Sequence, residues 1–199
     1  MSCTIFKNSE TNKKIDDNTE HIITIGKYYP VRGDYSNIDE FTQNIIDIKK
    51  DDEMLDTKSA EYYYYKEAIN YFIKRLLVIL SDTEEYVLCV IPAHTKGTPL
   101  SGIRKIAKEV CSRLPKVIDG TGVLFRKYTV EKKSTGGLRD IQAEIHSIDM
   151  RNKDIVKDRQ ILLIDDVTTT GTSLNSGKHI LIQSNVKLVV MFALAKTHE

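Results

Sequence analysis

One run of residues limits the folds open to this chain more than any other: Ile161-Leu162-Leu163-Ile164, then Asp165-Asp166-Val167, then the turn Thr168-Thr169-Thr170-Gly171-Thr172-Ser173. An unbroken apolar run suits a parallel strand covered on both faces. Ligands of open α/β sheets sit beyond the carboxyl ends of such strands, so Asp165 and Asp166 fall where a ligand would be. Adjacent carboxylates can accept hydrogen bonds from two neighbouring hydroxyls, as on a ribose 2,3-diol, while bringing negative charge near a cation. The turn after them suits the opposite charge. Backbone N–H groups from Thr168 to Thr172 can form a concave nest, and the hydroxyls of Thr168, Thr169, Thr170 and Thr172 add donors for a phosphate. Gly171 permits close backbone approach or positive φ. Thr172 or Ser173 is placed to cap a helix over Leu174 to Ile182, whose amino end also favours an anion. Together these residues describe a site for a sugar phosphate.

A Walker loop does not explain the same stretch. Five residues rather than four separate Gly171 from Gly177, and His179 stands where that motif needs a Ser or Thr for magnesium.

Elsewhere the chain reads as strands alternating with helices. Tyr86 to Ile91 is a β-rich apolar run ending at Pro92, and Leu188 to Leu194 is another. Apolar residues at Ala60, Tyr64, Ala68, Tyr71, Phe72, Leu76 and Ile79 predict a long helix from Ser59 to about Leu80, and Ile103, Ile106, Ala107, Val110 and Leu114 predict another over Leu100 to Leu114. This alternation predicts an α/β fold with a mainly parallel twisted sheet flanked by helices. Ile22 to Ile25 and Tyr28-Tyr29 suit a strand, residues 41 to 50 a short helix or strand, and the polar residues 1 to 20 a frayed or edge segment. Tyr62 to Tyr65 occupy four successive positions that point around a helix, which favours packing over an aromatic cage.

Two loops carry further chemistry. Pro92-Ala93-His94-Thr95-Lys96-Gly97-Thr98-Pro99 sets a cation, hydroxyls and Gly at a strand end, where it could wrap an anion or serve as an ordinary βα turn. His94 could donate to a phosphate or act in proton transfer; with no second His or Cys at ligand spacing a metal site is a poor reading, and a hydrogen-bonded loop residue is the default. Residues 126 to 147 combine Arg126, Lys132, Lys133 and Arg139 with the pair Gly136-Gly137, either a solvated charge run or a mobile lid.

Length and composition set bounds. A chain of 199 residues suits one domain. With 29 Lys plus Arg against 28 Asp plus Glu, the net charge is +1 and gives no nucleic-acid signature. Cys3, Cys89 and Cys111 are odd in number and widely spaced, which argues against a zinc ribbon or disulfide framework and predicts a cytoplasmic setting. No metal-ligand set is expected. The polar amino terminus lacks a signal-peptide core, and the apolar stretch Tyr71 to Leu80 falls short of the roughly 20 residues of a membrane span, so neither export nor membrane association is expected.

The segment Ile161 to Ser173 resembles the 5-phosphoribosyl-1-pyrophosphate (PRPP) motif of type I phosphoribosyltransferases, a hydrophobic strand, two acidic residues and a Thr/Gly-rich loop. The resemblance implies the type I phosphoribosyltransferase fold in a single domain, 1–199, with residues 1–80 as a variable hood and 86–195 as the core. It implies that Asp165 and Asp166 hold the ribose hydroxyls, Val167 through Thr172 surround the 5-phosphate, and Thr95, Lys96 and Gly97 hold pyrophosphate. Residues 126 to 147 then take the place of the family's flexible loop, with Lys132, Lys133 and Arg139 neutralising pyrophosphate. The expected cofactor is Mg2+, carried mainly by PRPP or pyrophosphate. The expected partners are PRPP and a nucleophile that the sequence does not identify, and a homodimer is compatible with the family.

Within the family the chain is most similar to the ComF-type group, through Ile45-Ile46-Asp47-Ile48-Lys49, Val90-Ile91-Pro92, Leu124-Phe125-Arg126 and Ala193-Leu194-Ala195-Lys196-Thr197. It departs from that group in lacking the zinc-ribbon cysteines and the arginine-rich signature after the proline. Nor does it resemble a conventional amidophosphoribosyltransferase, having no amino-terminal glutaminase. Two function classes follow from the resemblance. One is a magnesium-dependent transferase that joins the phosphoribosyl group to a nitrogen of a base or amine. The other is a PRPP- or nucleotide-sensing module in regulation, DNA uptake or defence, since a fold does not fix function.

Overall fold

A computed structural model of the chain describes residues 2–31, 38–50, 54–97, 101–130 and 141–198. Helix α1 (Ser9–Asp17) precedes strands β1 (Ile22–Thr24) and β2 (Lys27–Tyr28), and helices α2 (Glu40–Ile48) and α3 (Ala60–Ile79) follow. Asn8, Asp39 and Ser59 cap these three helices, each side chain accepting from first-turn amides that would otherwise lack a partner. Strand β3 (Tyr86–Val90) leads through α4 (Gly102–Arg113) to β4 (Val117–Asp119). The antiparallel pair β5 (Leu124–Arg126) and β6 (Ile148–Met150) brackets helix α5 (Ile141–Ser147). Then come β7 (Gln160–Thr168), α6 (Thr172–Ile182) and β8 (Leu188–Thr197).

Among the described residues the central sheet runs β1-β8-β7-β3-β4, with β2 also pairing β8, and every pair is parallel. This is the predicted α/β architecture, a mainly parallel sheet between helices. Side chains alternate across a strand, so the two faces draw on different residues. Leu88, Val90, Leu162, Ile164 and Phe192 pack with residues of α2, α3 and α4, including Ile48, Phe72 and Ile106. Val87, Cys89, Ile161, Leu163 and Met191 pack with Leu174 and Leu181 of α6 and with Leu124 and Ile148. Coverage on both sides is why β3 and β7 read as continuous apolar runs rather than alternating ones.

Connectivity positions the site. From β3 the chain passes through α4 to β4 on one side, and from the adjacent β7 it passes through α6 to β8 on the other. The Ile91 N–H donates to the Ile164 carbonyl at 3.0 Å, so β3 ends level with Ile164 while β7 runs on beside β8 to Thr168. A crevice opens outside strand ends where the connections diverge in this way. On the α2 face, a Cβ at Gly102 would lie 2.1 Å from the Ile48 carbonyl oxygen. Glycine there lets the amino end of α4 rest on the carboxyl end of α2, after which Lys49 lies beside Asp166 of β7.

The amino-terminal segment differs from its expectation as a frayed or edge stretch. Cys3, Ile5, Phe6 and Ile15 are buried, and α1 is a capped helix. Its polar residues bond the preceding chain instead of facing water alone. Asn12 accepts from the Phe6 N–H at 3.1 Å and donates to the Phe6 carbonyl at 2.7 Å, while Asp16 accepts from the Cys3 N–H at 2.6 Å. The Ser81 N–H donates to the Ile5 carbonyl at 2.8 Å, so this segment lines the end of α3. Residues 41 to 50 form helix α2 and its cap, resolving the helix-or-strand alternative. The tyrosine run points around α3, with Tyr63 and Tyr64 exposed; Tyr65, not Tyr64 as expected, joins Ala68, Phe72 and Leu76 on the buried face. No helix among the described residues is long and apolar enough to cross a membrane.

Candidate functional site at the ends of β3 and β7

The carboxylate pair lies at the carboxyl end of β7, where Asp165 is level with Ala193 of β8. Asp165 Oδ1 accepts from the Asp166 N–H at 2.9 Å, and Asp166 Oδ1 accepts from the Val167 N–H at 2.6 Å. Burial holds the Asp165 carboxyl well above the usual carboxylate range, and the neighbouring Asp166 charge raises it further; the Asp166 amide and Lys49 act in the opposite direction. Two carboxylates this close favour a shared proton or a nearby cation. Lys49, just after α2, supplies one such cation: its Nζ lies near Asp166 and over the Tyr28 ring. Nothing local in the sequence marks Lys49 as a site residue, because only the docking of α2 on α4 brings it to β7.

The turn after the pair ends on a left-handed residue. Gly171 has φ of 80° and is the N-cap of α6, which begins at Thr172 rather than at Leu174 as expected from a Thr172 or Ser173 cap. The left-handed residue completes the turn, so no side chain performs the capping. Ser101, which opens α4, makes no capping hydrogen bond either. The helices leaving β3 and β7 thus differ from α1, α2 and α3, whose caps are side chains. An uncapped amino end presents N–H groups and a positive dipole to an incoming anion. The Thr hydroxyls are paired locally, Thr170 with Thr172 and Thr169 with Thr197, each at 2.8 Å. Thr168 and Thr172 are buried, Thr169 and Thr170 exposed, and Val167 partly buried.

The loop after β3 carries Thr95, Lys96 and Gly97, all exposed, with Gly97 at φ 83°. The Val130 N–H donates to the His94 carbonyl at 2.9 Å, and the Lys96 N–H to Thr129 Oγ1 at 3.1 Å. The chain after β5 therefore braces the loop. Arg126, expected in a mobile basic segment, is instead buried in β5 and ion-paired with buried Glu144 at 3.1 Å. The charge-run reading failed there because the guanidinium finds its partners inside, including the Pro92 and Ala93 carbonyls. Lys132, Lys133, Gly136, Gly137 and Arg139 lie outside the described residues. The structure thus brings Asp165 through Thr172 and Thr95 through Gly97 to one sheet edge, and adds Lys49 and Arg126 to them.

Among the described residues, no cluster of three or more His, Cys, Asp or Glu side chains is arranged to hold a metal. A divalent cation at Asp165 and Asp166 would therefore draw its other ligands from a bound molecule and water, a pattern that suits magnesium.

Neither a family model nor a curated protein matches the sequence. Partial similarity to solved structures is found. A purine phosphoribosyltransferase from Pyrococcus horikoshii is 14% identical with a TM-score of 0.39, the match covering 69% of this chain and 85% of that one. An adenine phosphoribosyltransferase from Leishmania tarentolae is 17% identical with a TM-score of 0.39, covering 71% and 73%. A phosphoribosylpyrophosphate synthetase from Mycobacterium smegmatis is 16% identical with a TM-score of 0.37; the match covers 66% of this chain and only 32% of the synthetase.

Proposed function

We propose that this chain is a phosphoribosyltransferase that binds PRPP at the carboxyl ends of β3 and β7 and passes the phosphoribosyl group to a nitrogen nucleophile. One observation supports the reading: the Asp165-Asp166 pair and the Thr168–Thr172 turn end β7 and the Thr95–Gly97 loop follows β3, two neighbouring parallel strands from which the chain leaves the sheet in opposite directions. A diol acceptor flanked by two anion loops matches a ribose with phosphate at one end and pyrophosphate at the other. In this assignment Asp165 and Asp166 accept from the 2- and 3-hydroxyls, residues 167 to 172 hold the 5-phosphate, and Thr95 to Gly97 hold the pyrophosphate.

The reaction breaks the bond between the anomeric carbon and its pyrophosphate oxygen, the electron pair leaving with pyrophosphate. The nucleophile's nitrogen forms the new bond to that carbon and gives up a proton. Positive charge develops on the ring in between, and the carboxylate pair, fixed beforehand on a buried strand, stabilises it without reorganising. Lys96, and Arg139 by the sequence resemblance, neutralise the leaving group. Magnesium bound with PRPP would supply charge compensation between the diol and the pyrophosphate, held on the protein side by Asp165 and Asp166.

Residues 1 to 80, which bring Lys49 to the site, are the part of the chain we assign to the hood over the acceptor. The ComF-type grouping draws on this region only in part, through Ile45 to Lys49 at the end of α2, and otherwise on Val90 to Pro92, Leu124 to Arg126 and Ala193 to Thr197. Free Cys3, Cys89 and Cys111 suit a reducing cytoplasm. Thermal-shift titration with PRPP and magnesium, run beside isotope exchange between pyrophosphate and PRPP over a panel of bases, tests the proposal. Stabilisation together with exchange is the expected result. Stabilisation without exchange for any base makes the chain a PRPP-binding module, and no stabilisation removes PRPP as the ligand.

A further inference from the structure

A buried guanidinium joins the loop after β3 to helix α5. Arg126 is 4% exposed. Its Nη2 donates to the Pro92 carbonyl at 3.0 Å and to Glu144 Oε1 at 3.1 Å, its Nε donates to the Ala93 carbonyl at 3.1 Å, and its Nη1 donates to Ser147 Oγ. Ser147 Oγ in turn donates to the Glu144 carbonyl at 2.7 Å. A backbone contact reinforces the arrangement, the Lys127 N–H donating to the Ser147 carbonyl at 2.8 Å.

Burying a charge is costly unless it is paired and hydrogen-bonded, and a well-packed apolar residue of like volume commonly fills such a space as well or better. What an apolar residue could not do is fix the direction of the Pro92 and Ala93 carbonyls. In a planar trans peptide the carbonyl and the following N–H point in opposite directions. Drawing those two carbonyls onto Arg126 therefore turns the Ala93 and His94 N–H groups away from it, and the same chain leads directly into Thr95, Lys96 and Gly97.

We propose that Arg126 is a positioning residue for the pyrophosphate half of the ligand: through its fork on the Pro92 and Ala93 carbonyls, with Glu144 holding the guanidinium in place, it sets the loop from Ala93 to Gly97 in its anion-binding shape. The inference rests on the PRPP reading. Arg126 touches no part of the ligand. Its effect falls on one end of PRPP, because the Thr168–Thr172 turn is built by α6 and shares no hydrogen bond with Arg126 among those described.

The test uses Arg126→Lys, which keeps the charge but loses the planar fork, and Glu144→Gln, which keeps Arg126 and removes its counter-ion. Backbone hydrogen exchange is read without ligand. Magnesium pyrophosphate, ribose 5-phosphate and magnesium PRPP are then titrated by calorimetry. In Arg126→Lys the Lys96 and Val130 amides should exchange at least about tenfold faster while those of Cys89 and Leu163 keep their protection. Affinity for pyrophosphate and PRPP should fall about tenfold or more, with ribose 5-phosphate changed by less than about twofold. Glu144→Gln should show the same selective pattern more weakly, and it decides the matter if Arg126→Lys does not fold. Unchanged protection at Lys96 and Val130, or equal weakening of all three ligands, overturns the proposal. If wild type binds neither PRPP nor pyrophosphate, the PRPP reading falls and this inference falls with it, an outcome recognised in the wild-type protein rather than in the variants.

Discussion

Lys49 Nζ lies 4.0 Å from Asp166 Oδ2 and 4.8 Å from the centroid of the Tyr28 ring. The amino-terminal part of the chain thereby sets a positive charge against the carboxylate pair of β7. With the two side chains 39% and 30% exposed, the contact contributes about 0–1 kcal/mol to stability, as is usual for solvent-screened pairs. Its consequence lies in the charge of the pair, because Lys49 opposes the burial and repulsion that raise the Asp165 carboxyl.

Lys49→Met should therefore change the melting temperature little while shifting ligand binding. PRPP affinity is expected to fall roughly threefold to tenfold, as for loss of one partly screened charge. The pH at which binding is half maximal should rise, because without Lys49 the Asp165 carboxyl ionises later. Calorimetric titrations across the acid to neutral range check both, and Lys49→Arg should behave like wild type.

The Asp165 carboxyl gives stability a definite sign of pH dependence. Its folded-state pKa is raised, so between the ordinary carboxylate range and that raised value the folded chain holds more protons than the unfolded one. Stability contributed by this group is complete below the unfolded value and is lost as pH rises through the folded one. Asp165→Asn removes the penalty: it should melt a few degrees above wild type at about pH 8 and no higher at about pH 4. Melting curves at the two pH values decide this.

The stabilised variant should not be a better binder. Asp165→Asn with Asp166→Asn removes both acceptors of the ribose diol and should abolish PRPP binding, with affinity reduced at least about a hundredfold. Thermal shift with PRPP and magnesium measures it. Retained affinity in this double variant would refute the assignment of the pair.

Gly171→Ala probes the turn itself. Position 171 has φ of 80°, and a Cβ there would lie 2.6 Å from Ile22 Cδ1. Strain of a side chain in the left-handed region combines with the clash, and the expected loss is about 1–3 kcal/mol. Urea denaturation should show a lower midpoint with an unchanged slope.

The thiols offer a test of the α/β core. Burial raises the Cys89 thiol, with the charges of Cys111 and Asp119 adding to it. Burial likewise pushes Cys111 up to about 12, with Asp119 second. Since the thiolate is the reactive form, iodoacetamide at about pH 8 should leave Cys89 and Cys111 largely unmodified until the chain is unfolded, as read by mass spectrometry.

Much of this architecture is legible in the sequence, and the exceptions share a cause. Strands β3, β7 and β8 announce themselves because burial on both faces requires apolar runs, and α3 and α4 because one face of each must be apolar. The carboxylate pair and its turn are contiguous, so their chemistry needs no fold to assemble it. Lys49 and Arg126 are different. Each acquires its role from partners far along the chain, Asp166 for one and Pro92, Ala93 and Glu144 for the other. A lysine at a helix end and an arginine before a run of charges look the same whether or not such partners arrive. Helix α1 escaped notice for a related reason: its Asn12 and Asp16 are polar residues spent on neighbouring backbone, a use that hydropathy cannot separate from exposure.

The division of β3 and β7 between two cores has an evolutionary consequence. Val90 and Ile164 answer to α2, α3 and α4, whereas Cys89 and Leu163 answer to α6. Substitutions that rebuild the first set of helices meet different side chains from those that pack α6 behind the Thr168–Thr172 turn. A lineage built on this plan can exchange the face bearing Lys49 wholesale and inherit the other unaltered. Relatives should accordingly be recognised by one side of the sheet and told apart by the other.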